Sequence, residues 1–327
     1  MSTSTFPIFD LCKFEQAGPG EKRVLAAKVD AICRATGFLA IAGHGVPEAV
    51  IRAAWRKAQA FFDLPAEQKQ RAHAPYPGYP YGFLGPELES LAKSRDVGAP
   101  PDLKESFNGG PRQAPEGMTD PEALGFCYAP TIWPEAPDGF VAAWQAYYAA
   151  MEGLAARTMR LFAAALGLPE AYFDDYIDAP ISALRALNYP RLEVAPKPGQ
   201  ICAGAHTDYG SLTILLPQAN SSGLEILTPG GSWTPVPPQP GAFIVNIGDL
   251  MAHWTNDRWV STLHRVVNPS PEQGGGERRQ SFAFFHQPNW DAEIRVLEAC
   301  LAQGERPKYG PVRSGPYLMS KFRSTTM

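Results

Sequence analysis

Cysteine is scarce and scattered in this chain: five residues in 327 (Cys12, Cys33, Cys127, Cys202 and Cys300), an odd number with no CxxC pair. Such spacing makes neither a disulfide framework nor a zinc site, so reduced thiols in a cytoplasmic setting are the expectation. No apolar run approaches the ~18 residues that a membrane span requires. The opening stretch, Met1 to Asp10, has neither a basic n-region nor an apolar h-region, so no secretory signal is expected. An excess of one charge is also missing. Lys plus Arg number 29 against 33 Asp plus Glu, a net charge of -4, with no long block of like sign. That mild acidity argues against a broad nucleic-acid surface or an anionic-membrane surface.

What the chain does have is apolar residues, 45% of the total, enough for a full core. The first part reads as mixed elements. Phe6–Leu11 is a short strand-like run, Glu21–Thr36 has helical spacing, Gly37–Ile41 reads as a strand, and a helix opens near Pro47 and runs to about Phe62. From Ala74 to Met118 prolines, glycines and aromatics interleave, which predicts ordered loops covering something. Asp138–Leu166 is the longest helical pattern; Phe140, Trp144, Tyr147, Met151 and Leu154 form a core face, and Gly167 and Pro169 end it. After Ile181 the period becomes strand-like. The runs Ala183–Leu187, Ser211–Leu216, Leu224–Leu227, Gly241–Ile247, Ser261–Val267 and Ser281–His286 alternate with turn residues, which predicts a sandwich, barrel or jelly roll. The expected architecture is a helical N-terminal half on a β core: a helical and loop region, residues 1–118, packing on residues 119–327, the long helix plus the strands, with both parts in one compact unit.

Chemistry concentrates in the β region. His206 and Asp208 sit two apart at the end of a strand-like run, so period two turns both to one face. An imidazole and a carboxylate side by side are two thirds of a 2-His-1-carboxylate facial triad, the arrangement that holds non-haem Fe(II) with open positions. His264, in another strand-like run, is the candidate third ligand, because a rolled-up sheet brings distant strands face to face. Arg279 and Ser281 are again two apart. A guanidinium and a hydroxyl on one strand face suit a carboxylate, whereas Arg278 points to the other face and is expected in a solvated role. Open iron positions beside a carboxylate clamp fit a 2-oxo acid held at both ends.

These stretches, together with F-P-I-F-D-L (6–11), G-F-L-A-I-A-G-H-G-V (37–46), D-L-K-E-S-F-N-G-G (102–110), N-I-G-D-L (246–250) and S-T-L-H-R-V-V-N-P (261–269), resemble, in order and over most of the chain, the isopenicillin N synthase-like family of 2-oxoglutarate/Fe(II)-dependent oxygenases. The resemblance implies a mainly β fold, a double-stranded β-helix (jelly-roll) core with flanking helices. It implies Fe(II) on His206, Asp208 and His264, and the distal carboxylate of 2-oxoglutarate on Arg279 and Ser281, with Tyr189 also reaching it. It further implies O2 as oxidant, hydroxylation or desaturation of a small organic substrate, and release of succinate and CO2. An alternative within the family is an oxidase of the isopenicillin N synthase type that does without 2-oxoglutarate. Plant-type members carry an Asn two positions before the Tyr; here that position is Leu187, and the role is not carried to Asn188.

The remaining candidates receive plainer readings. His253 is a competing ligand of low standing, Asp249 a backbone cap after Gly248, His44 structural, and His73 exposed. His286 should face away from the clamp. Cys202 is expected in core packing near the pocket wall. The aromatic stretch Tyr76–Phe83 and the segment Lys104–Asn108 are candidate covers for the substrate.

Overall fold

The computed structural model describes residues 6–86, 88–91, 100–191, 196–268 and 278–326. The start of the opening stretch (1–5), parts of the Ala74–Met118 region (87 and 92–99) and Pro269 lie outside the described residues. Among those described, no helix is long and apolar enough to cross a membrane.

The chain opens with β1 (Ile8–Asp10), α1 (Leu11–Gln16), α2 (Pro19–Ala35), β2 (Phe38–Ala42), α3 (Glu48–Phe62) and α4 (Ala66–Gln70). β3 (Gly82–Leu84) and β4 (Glu105–Gly109) precede α5 (Pro121–Gly125), the long α6 (Phe140–Ala165) and a 3-10 helix, Glu170–Tyr176. Six strands then follow: β5 (Ala183–Tyr189), β6 (Ala203–His206), β7 (Leu212–Pro217), β8 (Leu224–Leu227), β9 (Trp233–Pro235) and β10 (Phe243–Ile247). α7 (Asp249–Trp254), β11 (His264–Val266), β12 (Arg279–His286), β13 (Glu293–Ile294), β14 (Val312–Arg313) and α8 (Ser314–Thr326) complete it. Local chemistry sets several ends. Asp10 caps α1 through the Lys13 N–H, and Asp120 caps α5 through those of Glu122 and Ala123, with Pro121 at the first turn.

Two sheets build the jelly roll. The larger runs β1-β2-β10-β7-β12-β5-β4-β3 and the smaller β6-β11-β8-β9. β12 lies inside the larger sheet, antiparallel to both β5 and β7. Its alternation organises the molecule. Phe282 packs on Tyr147 and Trp144 of α6 and Phe284 on Tyr148, so the even positions are sealed by the long helix. Arg279, Ser281, Ala283 and Phe285, the odd positions, line a cavity between the sheets.

The first part of the chain, mainly helical, also supplies β1–β4, half of the eight strands of the larger sheet. Two expectations are corrected. Lys104–Asn108 is not a loop cover but falls almost wholly in β4. Its polar residues disguised a buried strand: Glu105 is satisfied by Lys69 and Asn188, and Asn108 by Arg185. Only His264–Val266 of the run Ser261–Val267 is strand.

Candidate active site

β11 pairs with β6 so that His264 stands directly opposite His206. Each Nδ1 lies on a nearby carbonyl, His206 on Gly204 at 2.7 Å and His264 on Thr262 at 3.0 Å. Those bonds fix the rings and leave each Nε2 facing inward. Asp208 is not within β6, which ends at His206; it stands two residues beyond. Its carbonyl accepts the Asp249 N–H at 2.7 Å. Its Oδ2 accepts from Thr213 Oγ1 at 2.6 Å and Asn246 Nδ2 at 2.7 Å, neighbours across β7 and β10. That leaves Oδ1 toward the two imidazoles, 3.9 Å from His206 Nε2 and 3.7 Å from His264 Nε2. One ligand atom from each residue lies within 4.8 Å of the other two. Three donors whose other atoms are all engaged, converging on one point, fit a divalent cation.

The electrostatics agree. Burial, aided by the neighbouring His264, pushes the His206 imidazole down to about 3, so it is neutral and able to ligate. Burial pushes Asp208 upward, but the two imidazoles and the bonds from Asn246 and Thr213 outweigh it and hold the carboxyl below its ordinary value.

Arg279 and Tyr189 are cross-strand partners on β12 and β5, with the guanidinium 4.2 Å from the phenol ring centroid. Arg279 Nη1 donates to the Ser222 carbonyl at 2.8 Å, which anchors one edge of the fork. Ser281 sits two positions along on the same wall. Burial lifts the Tyr189 phenol above its usual range while Arg279 and Lys104 pull it down, so it keeps its proton and remains a donor. Tyr189, Arg279, Ser281, His206, Asp208 and His264 line one cavity, of about 220 Å³.

The other histidines lie elsewhere. His253 bonds the Gly310 carbonyl and stacks on Tyr309. His44 accepts the Val46 N–H and packs edge-on against Phe243. His286 is buried against Ser211, away from the wall that carries Arg279 and Ser281. His73, expected to be exposed, is half-buried with Nδ1 on the Ala74 carbonyl. Asp249 does not cap a backbone; its carboxylate accepts from Ser261 and Lys321. Arg278 does face away from the cavity, but it is bound rather than solvated, donating to Asn188, Asp63 and the Gln59 carbonyl. Cys202 packs with Leu187, Tyr189 and Ala203. Of the aromatic stretch, Pro80 and Tyr81 reach the cavity wall. Asn246 and Thr213 went unassigned in sequence. The signal was present, since Asn246 opens N-I-G-D-L, but only folding shows which carboxylate it serves.

Residues 181–288 match the 2OG-Fe(II) oxygenase superfamily, and residues 6–136 the family described as non-haem dioxygenase in morphine synthesis N-terminal. Over 324 residues the chain is 33% identical to the 2-oxoglutarate-Fe(II) type oxidoreductase hxnY of Emericella nidulans, covering 95% of this chain and 88% of that one. It is 32% identical to a homoarginine-6-hydroxylase of Oryza sativa subsp. japonica, over 90% of this chain and 87% of the relative. A Neurospora crassa protein crystallised with alpha-KG and thymine superposes with a TM-score of 0.84 at 30% identity, covering 98% of this chain and 96% of its own.

Proposed function

The chain belongs to the 2-oxoglutarate/Fe(II)-dependent oxygenases, and from that premise we propose that His206, Asp208 and His264 hold the iron while Arg279, Ser281 and Tyr189 hold the distal carboxylate of 2-oxoglutarate. The enzyme hydroxylates or desaturates a small organic substrate. Bound iron, with 2-oxoglutarate and O2, supplies the oxidising chemistry, which ends in succinate, CO2 and the oxidised product.

The chain's own residues do the rest. The two imidazoles and Asp208 Oδ1 would hold the metal and leave further coordination positions to ligands. Arg279 offers its unanchored N–H groups, with the Ser281 hydroxyl and the Tyr189 phenol beside them, to a carboxylate. Apolar Leu187 and Ala283 line the same walls and keep water from that charge pair. One observation carries the reading: the carboxylate clamp and the three-donor cluster open into the same cavity. Relatives described as 2-oxoglutarate-Fe(II) type favour 2-oxoglutarate use over the oxidase alternative, which would carry the same triad and Arg-x-Ser pair. We take the chain to work as one unit, because the sheet that carries the clamp includes strands from both sides of residue 118. A cytoplasmic location is the reading that accords with five free cysteines.

Titrating the Fe(II)-loaded protein with 2-oxoglutarate under anaerobic conditions tests the assignment. At a hundred times its dissociation constant the ligand stabilises by about 2.7 kcal/mol, and an iron charge-transfer band develops. Both responses are expected to vanish in Arg279→Ala. Unaltered binding in that variant, or no response in the parent protein, overturns the assignment.

A further inference from the structure

Beyond the clamp, the same cavity has a second polar station. On β5, Tyr189 and Arg185 both face inward, four residues and therefore roughly 13 Å apart along the strand. Leu187, with Ser281 opposite it on β12, separates them, and Ala283 stands opposite Arg185. Arg185 is held stiffly. Its Nε donates to Asn108 Oδ1 at 2.6 Å, its Nη1 reaches both oxygens of Glu89 at 3.1 Å, and its guanidinium lies 5.8 Å from the Phe285 ring centroid. Nη2 has no protein partner among the described residues, and neither does the Asn108 amide nitrogen. Gln287 lies just past β12, buried, on the same wall, and its Oε1 has no partner among the described residues. Its amide also lies against Gly210, two residues beyond Asp208, which brings it near the metal cluster.

The charge of this station is already balanced. Lys104 pairs with Asp102 at 2.5 Å and with Glu89 at 3.1 Å, so two cations, Arg185 and Lys104, face two carboxylates, Glu89 and Asp102. A ligand carboxylate entering here would bring an uncompensated buried charge. A neutral carbonyl would take the free N–H groups of Arg185 and Asn108 with no change in net charge. The orphaned Gln287 Oε1 asks for a donor, since buried acceptors are rarely left unpaired. Phe285 presents an aromatic surface beside them.

Resting on the oxygenase reading above, we propose that the primary substrate is a neutral, flat molecule of amide or lactam type, lying along Phe285 with a carbonyl toward Arg185 and Asn108 and an N–H toward Gln287. Arg185 and Gln287 are then specificity residues, distinct from the 2-oxoglutarate clamp.

The test measures succinate release by the Fe(II)-loaded enzyme with matched probes: thymine against orotate, and benzamide against benzoate. Anaerobic 2-oxoglutarate affinity is measured in parallel. At least one neutral member is expected to raise succinate release above the substrate-free rate, with its charged counterpart failing to do so. Arg185→Gln is expected to raise the KM of that probe about 10- to 100-fold, the loss of one charge-assisted contact, with 2-oxoglutarate affinity changed less than about twofold. Because Arg185→Gln leaves Glu89 with one cation fewer and risks misfolding, Gln287→Ala is the second variant. It removes the side-chain amide, whose Oε1 has no partner among the described residues, without touching the ion pairs of Arg185, so its melting temperature should fall less than that of Arg185→Gln while the KM of the probe rises. Stimulation by the carboxylates rather than the neutral members overturns the proposal, as does silence from all neutral probes or an unchanged KM in both variants. If the parent enzyme fails to bind 2-oxoglutarate, the underlying oxygenase assignment falls, and this inference with it.

Discussion

Asn246 and Thr213 each spend their polar group on Asp208 Oδ2, and in doing so they decide which carboxylate oxygen faces the imidazoles. Partners of this kind typically contribute 10- to 100-fold to metal affinity. Asn246→Ala is therefore expected to weaken Fe(II) binding by roughly that factor while the fold persists, as read by metal titration and a thermal melt. An affinity equal to that of the parent would show that Thr213 suffices. Glu152 on α6 is the opposite kind of residue: among the described residues it has neither a hydrogen bond nor an ion pair, and burial raises its carboxyl from 4.5 to about 7. The folded state therefore holds the proton where the unfolded chain has released it, and stability is lost as pH rises from about 4.5 through about 7. Glu152→Gln should remove that loss, stabilising the protein at pH 8 by on the order of 1 kcal/mol once solvent screening is allowed for and leaving it little changed at pH 4.5. Melting temperatures of both proteins across that range check the sign.

At the scale of elements, β12 separates two kinds of work by parity. Its odd positions face the cavity and its even positions face α6 and α3, where Gln280 also donates to the Trp55 carbonyl. Arg278, just ahead of the strand, belongs to the second set. It ties the Asn188 side chain on β5 to the C-terminal end of α3 through Gln59 and Asp63. Arg278→Ala is expected to destabilise by about 1–3 kcal/mol, because Asn188 Oδ1 loses its donor while buried. Its 2-oxoglutarate affinity should stay within about twofold of the parent, since no atom of the proposed clamp is touched. A strong loss of 2-oxoglutarate binding without a change in melting would place Arg278 in the clamp instead.

At the scale of the molecule, the larger sheet interleaves early and late strands: β1-β2 lie on one side of β10, and β4-β3 on the other side of β5. Removing residues 1–118 would bare both of those strands as edges and strip α2 and α3 from the surface of α6. Exposed edges and a large uncovered apolar face favour association over folding. A 119–327 fragment is expected to show no cooperative melt and no 2-oxoglutarate response. A cooperative transition in that fragment would establish a self-sufficient core.

Periodicity and residue chemistry alone determined a good deal. The long helix, the run of short strands, and the shared face of Arg279 and Ser281 on β12 were all legible, because period two and period 3.6 are local properties of the backbone. Other features were not local. His264 meets His206 only through the pairing of β11 with β6, and Asp208 faces the imidazoles through bonds from β7 and β10 rather than through strand alternation. The buried polar strand β4 and the bound Arg278 misled the reading for the same reason. A charged side chain in sequence shows its cost in solvent, not the partner that folding brings to it, and only the packed sheets supply Lys69 to Glu105, Glu89 to Arg185, or Asn188 to Arg278.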